Sequence, residues 1–149
     1  MSNEHNSDPL AVALFGEILM VDQLARNRLS RALPKGMELS HFTVLNHLAN
    51  VNAERSPAQL ASAFHVTRGA MTNTLSKLEW AGYVHIRPDW EDARRKLVVI
   101  SPAGRRARDL ALQAIEPVIA DVVGSIGSEK VRAALPVLRE LRQRLDRED

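Results

Sequence analysis

The chain has no cysteine among its 149 residues. That excludes a disulfide framework and a cysteine-ligated zinc site. No apolar run approaches the roughly 20 residues that a membrane-spanning helix needs. The opening Met1-Ser2-Asn3-Glu4-His5-Asn6 is polar, without a signal-peptide pattern. A cytoplasmic location and no membrane partner are therefore expected. There is also no glycine-rich phosphate loop, no Ser-His-Asp arrangement placed by motif and no cluster of metal ligands. His41 and His47 are six positions apart, which does not put them on one helical face. Each reads as a satisfied or solvent-facing histidine. The expectation is a protein that is not an enzyme and that needs no cofactor and no metal.

A large net charge is missing too, because the total is only +2. The charge is unevenly spread, however. From Val84 to Arg108 the bases are Arg87, Arg94, Arg95, Lys96, Arg105, Arg106 and Arg108, against Asp89, Glu91 and Asp92. Seven bases against three acids leave +4 in this stretch, more than the whole chain carries. A local basic excess is the footprint expected for nucleic acid, although a solvated charged loop would look the same in isolation. At 45% hydrophobic, the chain has enough apolar material for one domain, alone or with a helical annex.

The stretch from Ser56 to Ser101 organises the rest. Ser56-Pro57-Ala58-Gln59 has capping-box spacing with proline at the first helical position. Leu60, Ala61 and Phe64 form the apolar face of that short helix. His65-Val66 is a tight break, and Thr67 caps a second helix that runs to Gly82. There Met71, Thr74, Leu75 and Leu78 share one side. Gly69, Thr72, Asn73 and Ser76 lie opposite, a small polar face suited to a groove lined by donors and acceptors. Tyr83–Arg87 and Leu97–Ile100 are strand-like and rich in β-branched residues. Between them Pro88–Lys96 makes a charged tip. This is a helix-turn-helix followed by a wing.

Here the chain resembles the MarR family of bacterial transcription regulators. The resemblance rests on Leu78-Glu79-Trp80-Ala81-Gly82-Tyr83-Val84 entering the wing, Asp92-Ala93-Arg94 at its tip, and Val99-Ile100-Ser101-Pro102-Ala103-Gly104 leaving it. Asp-x-Arg is the most specific of these, and the likeness runs from about Leu10 to Leu145. It implies a mainly α fold with a small β wing, a winged helix-turn-helix between N- and C-terminal dimerisation helices. It also implies a homodimer that binds double-stranded DNA, and a small anionic aromatic ligand between the dimer helices and the winged helix. Arg26, Arg28 and His41 lie near that region, with no ligand role assigned to them. The lack of cysteine removes thiol-based oxidant sensing, which is one branch of the family.

The flanking segments agree with a single subunit of residues 1–149. Residues up to Ser7 read as loosely packed. Asp8-Pro9 starts a long helix to about Leu33, with Leu10, Leu14, Ile18, Val21, Ala25 and Leu29 in a stripe widened by Ala11, Phe15, Leu19 and Met20. An apolar surface that wide is buried or shared with another subunit. The next helix is expected to start at a Ser40 cap, with Leu39 and Val44 as its staple and Phe42, Leu45 and Leu48 in the core. Ser101-Pro102 opens a helix that Pro117 should kink and Gly124–Gly127 should break. Ser128 should cap the last helix, with Val131, Leu135, Leu138, Leu141 and Leu145 on one stripe. The winged helix-turn-helix part is then 37–101, and 8–33 with 102–147 form the dimerisation part.

The expected function is a sequence-specific, homodimeric, ligand-responsive repressor on an inverted-repeat operator. Thr67, Arg68, Gly69, Thr72, Asn73, Ser76 and Lys77 would meet the major groove or its phosphates. Arg94 would enter the minor groove, with Asp92 holding the tip. Arg87, Arg95 and Lys96 complete the DNA-binding set. Trp80 and Trp90 are expected to pack locally rather than stack on bases. Family members often carry a basic residue near Asn73, so the base preference is not carried over. The alternative is a winged helix used for protein contact or dimerisation without specific DNA binding.

Overall fold

The structure is a computed structural model that describes residues 8–147. The expectation for the residues up to Ser7 lies outside that range. Six helices and a two-stranded sheet follow in the order α1 (Pro9–Ala32), α2 (Leu39–Val51), α3 (Pro57–Ala63), α4 (Arg68–Trp80), β1 (Val84–Pro88), β2 (Lys96–Ile100), α5 (Pro102–Ile126) and α6 (Ser128–Asp146). The fold is mainly α with a small antiparallel wing. No single helix among the described residues is long and apolar enough to cross a membrane.

Local chemistry sets most boundaries. Asp8 accepts hydrogen bonds from the Leu10 and Ala11 amides and starts α1. Ser56 and Gln59 form the reciprocal capping box of α3. The Thr67 hydroxyl accepts from the Ala70 amide at the start of α4. Helix α4 ends with Gly82 at φ +79°; the Gly82 amide donates to the Glu79 carbonyl and the Tyr83 amide reaches the Leu78 carbonyl. That pair of bonds is the glycine-dependent helix stop.

Two caps differ from the sequence expectation. Helix α2 starts at Leu39, not Ser40: Glu38 caps it, and the His41 imidazole Nδ1 accepts from the Glu38 amide. A carboxylate and an imidazole thus perform the exchange usually made by serine and glutamine. Ser128 is the first residue of α6 rather than its cap, because Gly127, at φ +110°, occupies the cap position. The chain turns through 103° there. Gly124 does not break α5, which continues through Pro117 to Ile126.

The core has two parts. The larger lies inside the winged unit, where Leu45, Leu48, Leu60, Leu75, Leu78, Val84 and Val98 are almost fully buried. Cutting any of these leucines to alanine would cost about 2–5 kcal/mol. The smaller part joins that unit to the long helices through Leu33, Phe42, Ala111 and Ile115. Helices α1 and α6 have no buried residue. Leu10, Leu19, Met20, Val21 and Leu24 on α1 are each more than half exposed, as is Leu145 on α6.

The wing pairs Val84 with Ile100, Ile86 with Val98 and Pro88 with Lys96. Arg55 adds an isolated bridge to Val98, with backbone bonds of 3.3 and 2.8 Å. The polar stretch Asn50–Arg55 therefore ends α2 and braces the sheet.

Candidate nucleic-acid interface

Helix α4 buries Met71, Leu75 and Leu78 and turns Thr67, Arg68, Gly69, Thr72, Asn73, Ser76 and Lys77 to solvent. For Gly69, Thr72, Asn73 and Ser76 the split follows from helical spacing, which turns them away from the buried set, whereas Thr67 and Arg68 are exposed at the start of the helix. Thr72 and Ser76 line an open hollow with Arg87, Ala93, Arg95 and Lys96 of the wing. The fold thus brings two separate stretches of the expected set to one groove. Asn73 and Lys77 face the other flank, where Arg26, Glu38 and His41 line a second hollow of about 430 Å³. The Lys77 ammonium is 3.7 Å from a Glu38 carboxylate oxygen, which ties α4 to the start of α2.

The wing tip is ordered by its own side chains. Asp92 Oδ1 accepts from the Arg94 amide at 3.1 Å and from Arg94 Nε at 3.2 Å. These bonds to Arg94 hold the Asp92 carboxyl below the usual aspartate range. Asp89 does the same for the turn by accepting from the Glu91 amide at 3.0 Å. Arg94 itself is 92% exposed. An exposed arginine on a fixed turn can enter a narrow groove without first being ordered.

Arg87 occupies a different setting from the other bases. Its guanidinium forks onto Glu54, with Nε donating to Oε1 at 3.2 Å and Nη2 donating to Oε2. It also lies 5.6 Å from the Trp90 ring centre. Arg87 is thus committed to partners inside the chain. The role of Glu54 went unread in the sequence because the two residues are 33 positions apart.

Of the two tryptophans, Trp90 has its ring 5.6 Å from the Arg87 guanidinium but is 80% exposed, so its local contact is confined to one face. Contrary to the local packing expected of it, Trp80 ends α4 at 93% exposure, with no core position to fill. His47 meets Phe64 edge-on at 5.3 Å, consistent with a structural histidine. Among the described residues no group of three or more His, Cys, Asp or Glu could hold a metal ion.

A polar recognition helix, a charged hairpin beside it and a groove between them define a winged helix-turn-helix protein. Residues 35–95 match the MarR family model, so the winged part of the chain is similar to that family. Solved structures share its fold. The transcriptional regulator BldR from Sulfolobus solfataricus is 24% identical with a TM-score of 0.82, over 93% of this chain and 99% of that one. A cysteine-to-serine MarR mutant from E. coli, complexed with operator DNA, is also 24% identical with a TM-score of 0.79, over 91% and 99%. BpsR from Bordetella bronchiseptica, whose DNA binding is regulated by 6-hydroxynicotinic acid, is 18% identical with a TM-score of 0.76, over 95% and 98%. No curated protein sequence matches significantly.

Proposed function

We propose that the chain is a homodimeric regulator that binds a specific double-stranded operator through α4 and the wing. One observation carries this: the polar face of α4 and the basic wing line a single groove. The DNA complex of the E. coli relative supports the same use of the fold. In this reading Thr72, Asn73 and Ser76 meet base edges. Thr67, Arg68, Gly69 and Lys77 meet the backbone with Arg95 and Lys96. Arg94 enters the minor groove on a turn set by Asp92. Arg87 acts at one remove, by shaping the wing.

The domain division is part of the same proposal. Residues 37–101 read DNA, and 8–33 with 102–147 join two subunits through the apolar faces that a lone chain leaves exposed. Repression released by a small anionic aromatic ligand is the finer part of the proposal. It draws support from BpsR and from the hollow beside Arg26, His41 and Lys77, whose volume suits a small molecule.

Selection of duplexes from a random DNA pool tests the reading. Enriched sites with two-fold symmetry, bound with a steep fall in affinity as salt rises, are expected. Within them Asn73→Ala should change the preferred base, whereas Arg95→Ala should weaken all sites alike. Retention on heparin without any enriched sequence would leave only non-specific binding and overturn the proposal.

A further inference from the structure

A two-stranded hairpin is marginally stable by itself in water. This wing has a single pair of strands, so its angle to α4 must be set by something outside it. Its base is held by Val84, Val98 and Ile100 in the larger core, and its outer part by contacts from the segment before α3. Arg55 bridges to Val98 on β2, while the adjacent Glu54 takes the guanidinium of Arg87 on β1. Arg87 Nη1 also donates to the Pro88 carbonyl at 2.9 Å. Trp90, beyond the strand end, lies against the same guanidinium. The segment that supplies Glu54 is fixed in turn, because Asn52 Oδ1 accepts from Arg105 of α5 at 2.9 Å.

We propose that Glu54 and Trp90 are positioning residues that clamp Arg87 from two sides and hold the wing at one angle to α4, so that Arg94 reaches DNA already placed. This rests on the DNA-binding reading given above. The fork suits the task because a bidentate arginine–carboxylate pair fixes direction as well as distance. A ring over the guanidinium adds a contact that does not compete for the same N–H groups. Arg87 is a permanent cation with or without this partner, and the Glu54 hydrogen bond raises its pKa further above the ordinary arginine value. A half-exposed pair of this kind adds little to global stability. Its effect should appear in where the wing points rather than in whether the protein folds.

The first measurement needs no DNA. In the intact protein the Arg87 Nε–H resonance, identified by its loss in Arg87→Lys, should be shifted from the free-arginine position by Glu54 and by the Trp90 ring. In Glu54→Gln it should return toward the free position with the melting temperature nearly unchanged. A free-arginine position in the wild type would overturn the clamp. The second measurement is affinity for the duplex enriched from the random pool. Glu54→Gln should weaken binding on the order of tenfold, as should Arg94→Ala. The double variant should be no weaker than Arg94→Ala alone, because both act through one contact. Additive losses, or Glu54→Gln binding like the wild type, would overturn the positioning role. Arg87→Lys, which keeps the charge and loses the fork, should behave as Glu54→Gln does. A wild type that binds no duplex would instead overturn the DNA reading itself, and the resonance would still score the clamp.

Discussion

At the residue scale, Gly104 is the position with no room for change. A Cβ there would lie 2.1 Å from the Tyr83 carbonyl oxygen and 2.9 Å from Ile100 Cγ1. The first turn of α5 presses on the base of the wing at this point, and Ser101 joins them by donating to the Gly82 carbonyl at 2.6 Å. Gly104→Ala should destabilise the fold by about 3 kcal/mol or more, since the obstacle is backbone. A melting temperature close to wild type would contradict this. Arg94→Ala should do the reverse, lowering operator affinity roughly tenfold with little change in melting temperature. Titration of both proteins with the selected duplex checks that. The Asp92–Arg94 turn was legible in the sequence because its partners are two residues apart. The Glu54–Arg87 pair was not, because only the folded chain brings loop and strand together.

At the element scale, the start of α2 carries a titratable cap. His41 must be neutral to accept from the Glu38 amide through Nδ1. Burial lowers its pKa most; Glu38 opposes that and Lys77 adds to it. Arg26 lines the same hollow from α1. A histidine that resists protonation in the fold leaves the unfolded state binding more protons, so stability falls as pH drops through the ordinary imidazole range. His41→Gln keeps an acceptor in the capping box but does not titrate. Denaturant midpoints at about pH 7.5 and about pH 5.5 should differ less in that variant than in the wild type. An equal difference would remove His41 as the cause. The helices themselves were legible from spacing and caps. Where the reading failed, at Glu38 and Gly127, a serine one or two residues later offered a conventional cap that the backbone did not use.

At the scale of the whole molecule, the exposed apolar faces of α1, α5 and α6 call for a second copy. Sedimentation at micromolar concentration should show a dimer, and a stable monomer there would contradict the reading. Two recognition helices related by a two-fold axis reach successive major grooves, so half-site centres should lie about 10 base pairs apart. Inserting about five base pairs between them, half a turn, should abolish tight binding. Unchanged affinity after the insertion would rule out that geometry. The width of the α1 stripe raises this expectation in the sequence, and Leu10, Leu19, Met20, Val21 and Leu24 are exposed in the lone chain. The small core that seats the winged unit on the long helices was not, since Leu33, Phe42, Ala111 and Ile115 come from three distant segments.

That small core is also a pivot. Helix α5 continues beyond Ile115 to Ile126, a rod of about 16 Å at roughly 1.5 Å per residue. A rotation of about 5° at the pivot would swing the far end by about 1.5 Å, on the scale of helix shifts that switch other proteins. In the proposed dimer the spacing between the two DNA-reading surfaces would follow from how tightly these four side chains fit, far from any base. Slackening the pivot with Phe42→Leu should let the dimer accept a one-base-pair change in half-site spacing more readily than the wild type does, as a graded insertion series would reveal.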